Sequence, residues 1–302
     1  MTQNSGETPV DMPAKNCAAS YWNVLAGCYG ALRPPLVPSP EEIGFMEETT
    51  AAWAASHPGI PVQALLLGVT PLIARMRWPK SSVLVAVDGS FAMVRRVWPG
   101  NVAGVRGAVQ GDWLALPLRE HSCHVVIGDG SINCLGLIYP EGFRRLAEAV
   151  FRALDGDGIF LLRCYLQPDV QERPEDVFEA TFHAPIPTFN EFKFRLLMAV
   201  QQSAREGLVV NEVYRYWASL NVDATELASR TGWDQSAIEM MELYRGAQTV
   251  YTFTTRSELL SVLCEFFDVA SISTSPSYLG RRCPILVLRP RRGPRNSHGV
   301  PQ

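Results

Sequence analysis

The sequence is short of what several common functions require. No apolar run reaches the roughly 20 residues that cross a bilayer, and the opening stretch MTQNSGETPVDMPAKN has no apolar signal core and reads as a disordered leader. Charge of neither sign dominates. The net charge of −3 exerts no pull toward nucleic acid or an anionic membrane, and no basic stripe interleaved with aromatics is present. The 7 cysteines (Cys17, Cys28, Cys123, Cys134, Cys164, Cys264, Cys283) form no C-x-x-C pair, and most sit in apolar segments, where a thiol behaves as a small hydrophobe. That usage points to a reducing, cytoplasmic setting without a zinc site. Histidine is scarce, and the HSCH stretch (His121 to His124) straddles a loop and a strand start with no third ligand, so no metal is expected. Glycine is scarce where it matters most, in the turn ALLLGVTP that follows the first strand-like run.

What is present is enough for a large core: 302 residues, 47% of them hydrophobic. After the leader (1–15), a helical segment is expected over 16–60. Within it CAASYWNVLAGCYGAL has helical periodicity, and Ser39-Pro40-Glu41-Glu42 supplies a cap and first turn for a second helix to about Ser56. From Val62 short apolar runs alternate with helical segments over Leu72 to Trp78, Ser90 to Val97 and Pro140 to Leu154. LDGDG reads as a turn into the next strand. Apolar runs without alternation belong to strands buried on both faces, hence to a parallel sheet flanked by helices. The rhythm breaks over 167–250, which is helical and aromatic-rich, then resumes over 251–290. The expected fold is α/β: a doubly wound, mostly parallel, seven-stranded Rossmann-like sheet with N-terminal helices. A helical insertion precedes the last helix and two strands and caps the sheet's carboxyl edge. Residues 291–302 read as a disordered basic tail.

In such a sheet ligands bind beyond the carboxyl ends of the strands. The strand endings are Gly68-Val69-Thr70-Pro71, Asp88-Gly89-Ser90, Gly111-Asp112-Trp113 and Gly128-Asp129-Gly130-Ser131, and three of the four set an acid beside glycine. A pyrophosphate needs several glycines and free N–H groups at a helix N-terminus; this rim offers one glycine, a proline and acids. It suits a ligand with vicinal hydroxyls, an amino group and a positive centre. Asp88, about 20 residues after Gly68, stands where an acid accepts from both ribose hydroxyls. Asp112 and Trp113 suit an adenine, with Met93 padding its other face.

The arrangement resembles the class I S-adenosylmethionine (SAM)-dependent methyltransferases over about Val62 to Tyr165 and Thr254 to Leu288. That resemblance implies SAM as cofactor and S-adenosylhomocysteine (SAH) as product. It implies the methionine portion on Gly68, Val69, Thr70 and Pro71, the ribose on Asp88 with Gly89 and Ser90, and the adenine framed by Gly111, Asp112, Trp113 and Met93. The methyl and acceptor would then lie near Asp129, Gly130, Ser131 and Asn133. The first loop departs from the family's D/E-x-G-x-G-x-G, with Leu66 for the acid and Thr70 for the second glycine. Tyr21, Trp22, Asn23 and Arg33 are candidates to complete the methionine end.

The expected reaction is in-line methyl transfer to a small molecule, since a large lid obstructs macromolecules; Asp129, His183 and Tyr21 are the candidate bases. Two alternatives stand beside it: a non-catalytic SAM- or SAH-binding protein, and an NAD-dependent oxidoreductase, which shares the acid near position 88 but needs the missing glycines. The aromatic FNEFKFRLL (Phe189 to Leu197) fits an apolar substrate wall and helical core packing alike.

Overall fold

In the computed structural model, residues 14–183 and 186–291 are described, with side chains from Tyr21 onward. The leader up to residue 13 and the tail beyond residue 291 lie outside the described residues. Helix α1 (Ala14–Cys28) starts inside the expected leader, so Ala14 and Lys15 are helical. Helix α2 (Pro40–Ser56) starts as its capping residues predict: Ser39 Oγ accepts from the Glu42 N–H, and the Glu42 carboxylate accepts from the Ser39 N–H at 2.7 Å.

The alternating portion runs β1 (Gln63–Leu67), α3 (Pro71–Ala74), β2 (Val83–Asp88), α4 (Phe91–Arg96), β3 (Arg106–Gln110), β4 (Cys123–Asp129), α5 (Glu141–Ala153) and β5 (Leu154–Arg163). The insertion holds α6 (Pro174–His183), α7 (Phe189–Val200), β6 (Leu208–Val209), α8 (Val210–Ser219), α9 (Ala224–Thr231), α10 (Gln235–Glu239) and β7 (Val250–Tyr251). Then α11 (Arg256–Leu263), β8 (Phe267–Ser273) and β9 (Ile285–Pro290) finish the sheet.

Seven strands pair in the order β3-β2-β1-β4-β5-β9-β8. All run parallel except β9, which is antiparallel to both its neighbours. The chain winds one way from β1 to β3 and the other way from β4, so the switch point lies between β1 and β4. The apolar runs are buried on both faces: Leu65 and Leu67 of β1 pack toward α5 and α11, while Ala64 and Leu66 pack toward α2, α3 and α4. A third apolar cluster joins α1 to the insertion and includes Tyr21, Leu25, Phe189, Phe192 and Trp217, with Tyr21 packed on Tyr244 and Tyr251.

Three expectations need correction. The helix expected over Leu72 to Trp78 is a single turn, because Glu47 of α2 takes the Arg77 backbone N–H at 2.7 Å and the Arg77 guanidinium with it. LDGDG is more than a turn: Leu154 already pairs with Cys123, and the chain bulges before Ile159 meets Val125. The insertion is not all helical. β6 and β7 pair antiparallel, bringing its middle and its end together. Its base is closed by a bridge between Leu166 and Thr254, with the Gln167 N–H on Thr254 O at 2.9 Å. No helix among the described residues is long and apolar enough to cross a membrane.

One buried side chain ties these parts together. Arg163, at the end of β5 and fully buried, donates from Nη1 to Asp129 Oδ1 (2.8 Å) and Tyr165 Oη (2.8 Å), and from Nη2 to Pro35 O (2.8 Å). Its Nε lies 2.9 Å from Glu42 Oε1, an ionic contact without the alignment of a hydrogen bond. Arg163→Met strands the carboxylates of Asp129 and Glu42 in the interior. It is expected to lower stability by about 3–5 kcal/mol, read as an earlier urea midpoint with unchanged slope. An unchanged midpoint would show that the guanidinium holds nothing together.

Candidate functional site

A cavity of about 1510 Å³ opens over the carboxyl ends of the parallel strands. Its floor is formed by the loops after β1, β2, β3 and β4 and by Tyr165 after β5; α1 and the insertion wall it on the other side. The volume exceeds the range of about 300–1,000 Å³ usual for one small ligand, so two molecules fit side by side.

Of the residues singled out from the sequence, Tyr21, Trp22, Asn23, Gly68, Val69, Thr70, Asp88, Gly89, Ser90, Met93, Gly111, Asp112, Trp113, Asp129, Gly130, Ser131 and Asn133 all line this cavity. Three do not. Pro71 opens α3 behind the first loop. Arg33 turns its guanidinium onto Gly30 O (2.9 Å) and Leu32 O (2.8 Å) of its own turn. His183 is exposed at the end of α6. The HSCH histidines are engaged locally: His121 Nδ1 with Leu154 O (2.9 Å), His124 Nδ1 with Gln63 N (3.1 Å). Among the described residues no group of three His, Cys, Asp or Glu side chains converges to hold a metal.

The first loop works with one glycine because only one position needs it. Gly68 has φ +96°, and a Cβ there would come within 3.6 Å of Trp113 Cζ2 and 3.8 Å of Asp88 Oδ2. Thr70, where a second glycine was missing, donates from Oγ1 to Asp129 Oδ2 at 3.0 Å and so ties the β1 loop to the β4 loop. Trp113 reaches back from the β3 loop to donate from Nε1 to Val87 O at 2.6 Å. Three loops thus meet around Gly68.

Asp88 is the buried acid of this cluster. Its Oδ1 accepts from the Ser90 N–H at 2.7 Å. Burial pushes its carboxyl up to about 6, partly offset by the Ser90 and Val69 backbone N–H groups. Asp112 is exposed and accepts from the Leu114 N–H at 2.9 Å, while Met93 is buried in the cavity lining. Ser131 Oγ is buried at the end of β4 without a hydrogen-bond partner among the described residues. Asn133 is fully committed: it donates to Tyr165 O and Thr252 O and accepts from the Tyr165 N–H, pinning the insertion to the sheet.

Asp129 is not a free acid. With one oxygen on Arg163 and the other on Thr70, its charge is matched and its geometry set. Tyr21 is a buried phenol whose hydroxyl lies 3.0 Å from that of Tyr251, and burial holds its pKa far above the ordinary phenol value.

The sequence reading missed Arg163, Tyr165, Lys193, Tyr244 and Tyr251, which line the cavity or lock its floor. The available signal was a lone cation in an apolar run: Arg163 in GIFLLRCYL and Lys193 in FNEFKFRLL.

Asp88 offers a check of its own. Its folded carboxyl titrates near 6 against an ordinary 3.8, so the folded state holds the proton longer. The stability this gives is complete below about pH 4 and lost as the pH rises through about 6. Asp88→Asn avoids that loss and is expected to exceed the parent protein above pH 6 by up to about 3 kcal/mol, the gap closing toward pH 4 in denaturation curves. A variant less stable at pH 8 would contradict the assigned burial.

No protein-family model matches the chain, and no curated protein matches it in sequence. Solved structures align with it in three dimensions at low sequence identity. A Rhodobacter sphaeroides protein provisionally assigned to the Zn-dependent alcohol dehydrogenases aligns at 14% identity over 92% of this chain and 99% of its own, with a TM-score of 0.59. The Burkholderia thailandensis 1,6-didemethyltoxoflavin-N1-methyltransferase, with bound 1,6-didemethyltoxoflavin and S-adenosylhomocysteine, aligns at 12% identity over 95% and 94% with a TM-score of 0.45. A DhpI–SAH complex aligns at 15% identity over 95% and 100% with a TM-score of 0.47. Identities this low speak to architecture alone. The seven strands, their order and the one reversed strand give the chain the doubly wound, Rossmann-like architecture expected from its sequence.

Proposed function

We propose that the cavity binds SAM across the switch point and that the protein transfers its methyl group to a small molecule held under the insertion. The observation that carries this reading is the meeting of Gly68, Asp88 and Trp113 in one corner of a cavity large enough for two ligands. Asp88, a buried carboxylate that lines the cavity, suits vicinal ribose hydroxyls. Trp113 and Met93 suit the faces of an adenine, and Asp112 its amine. Ser131 Oγ, without a hydrogen-bond partner among the described residues, suits a polar group near the methyl and the acceptor. A dinucleotide is less well served: Pro71 removes an N–H from the start of α3, and a helix of 4 residues offers little positive end to a pyrophosphate.

SAM bound here would supply an activated methyl group, its sulfur leaving with the bond pair as the acceptor's lone pair forms the new bond. The chain's own residues orient and enclose. Asp129, fixed by Arg163 and Thr70, shapes the turn beside the transferred group without serving as a free base; Tyr21 stays protonated, and His183 lies outside the cavity. Alignment and water exclusion therefore do the work, for which positioning contributes up to roughly 7–11 kcal/mol. The roof formed by the insertion favours a small acceptor over a folded macromolecule.

Calorimetry with SAH and NAD tests the reading. SAH is expected to bind and NAD not to. Asp88→Ala is expected to weaken SAH by about ten- to a hundredfold, and affinity should fall below about pH 6, where Asp88 takes up a proton. Labelled-methyl transfer into a cell extract then separates an enzyme from a binding protein. Binding of NAD with no response to SAH would refute the proposal.

A further inference from the structure

The wall of the cavity facing the nucleoside corner carries a charge that methyl transfer as described leaves unused. Lys193 sits mid-way along α7, flanked by the buried Phe192 and Phe194 and only 2% exposed, and its side chain lines the cavity. Among the described residues no carboxylate lies within ion-pairing distance of it. The nearest acid on its helix, Glu191, is occupied in the N-terminal cap with Thr188. What meets the ammonium instead is the face of Tyr244, with Nζ 5.4 Å from the ring centroid. Burial pushes the Lys193 pKa down to about 8, the Cys28 thiol acting weakly the other way, so the group remains mostly cationic at neutral pH.

Its surroundings are phenolic and apolar. Tyr244 packs on Tyr21 with centroids 6.2 Å apart, and the Tyr21 hydroxyl meets that of Tyr251 at 3.0 Å. Burial keeps all three phenols neutral, and the Tyr21–Tyr251 hydrogen bond uses one of their hydroxyl protons, leaving the others as donors. Phe194 and Phe253 complete the wall, and Phe194 touches Tyr165 at 4.6 Å between centroids, next to the β4 loop. A buried, unpaired ammonium is costly unless an anion reaches it. Flat aromatic walls with hydroxyl donors suit a planar partner.

We propose that Lys193 and the tyrosines Tyr21, Tyr244 and Tyr251 form the acceptor subsite, and that the acceptor is a planar aromatic acid whose anionic oxygen pairs with the Lys193 ammonium. The proposal rests on the methyl-transfer reading for the word acceptor; the anion site itself does not. Lys193 positions the acceptor and exchanges no proton.

The test titrates the purified full chain with 2-naphthoate and with its neutral counterpart 2-naphthamide, each with and without saturating SAH. Naphthoate is expected to bind at least tenfold more tightly than the amide. Lys193→Met should erase that preference while its SAH binding reports that the variant is folded. A second readout needs no variant: of the three lysines, Lys15, Lys80 and Lys193, only Lys193, labelled by reductive ¹³C-methylation, should shift on adding naphthoate. Equal affinity for the two probes, no binding of either, or a preference that survives Lys193→Met overturns the subsite. If SAH fails to bind while the Lys193-dependent preference persists, the methyl-transfer reading falls and the anion site stands.

Discussion

A single buried guanidinium organises this molecule. Arg163 ends β5, an inner strand of the sheet, and faces, at once, the acid that ends β4, the acid that caps α2, and the carbonyl of Pro35 between the two N-terminal helices. Three segments distant in sequence are thereby referenced to one point at the carboxyl edge of the sheet. Burying such a charge is not a cheap route to stability, since apolar packing of the same volume often does as well. What it provides is position: five donors in a rigid plane fix the directions of the groups they meet. Asp129 is held so firmly that its neighbour Thr70 can be anchored to it in turn.

The first loop is shaped by that anchor. Glycine-rich turns let a backbone approach a ligand by having no side chains; this turn keeps one glycine where the backbone must be left-handed and where Trp113 crosses close by. At Thr70 it replaces bare backbone with a hydroxyl that is itself a strut. The loop is stiffened by a cross-link between strand ends, and the acid at its flank, Asp88, is desolvated by the same crowding.

The cavity joins two environments. One side is polar and built on the sheet: backbone N–H groups, Asp88, Ser131 and the edge of Trp113. The other is built on α1 and the insertion: phenols, phenylalanines and the ammonium of Lys193. The bridge at Leu166 and Thr254 and the three hydrogen bonds of Asn133 make the two sides one unit. The geometry beside the β4 loop is therefore set jointly by sheet and insertion.

The sequence by itself determined the sheet and its rim. Apolar runs without alternation force strands into the middle of a layered fold, and a doubly wound sheet has only one edge where its loops converge, so Asp88, Asp112, Trp113 and Asp129 were legible as neighbours before any coordinates. Capping chemistry placed the start of α2 equally well. Only the tertiary structure decided what each acid does. Asp88 is buried, Asp112 exposed and Asp129 ion-paired; Trp113 beside Asp88 and Arg163 on Asp129 arrive through packing rather than through spacing. Arg33, a plausible contributor from its position, spends its hydrogen bonds on its own turn. Lys193 is the sharpest case: in the sequence it interrupts an aromatic helix, and nothing local says whether it points to water or to the interior. That depends on helices α1 and α7 and the 240–244 turn closing around it, contacts between residues far apart in the chain, to which a local pattern is blind.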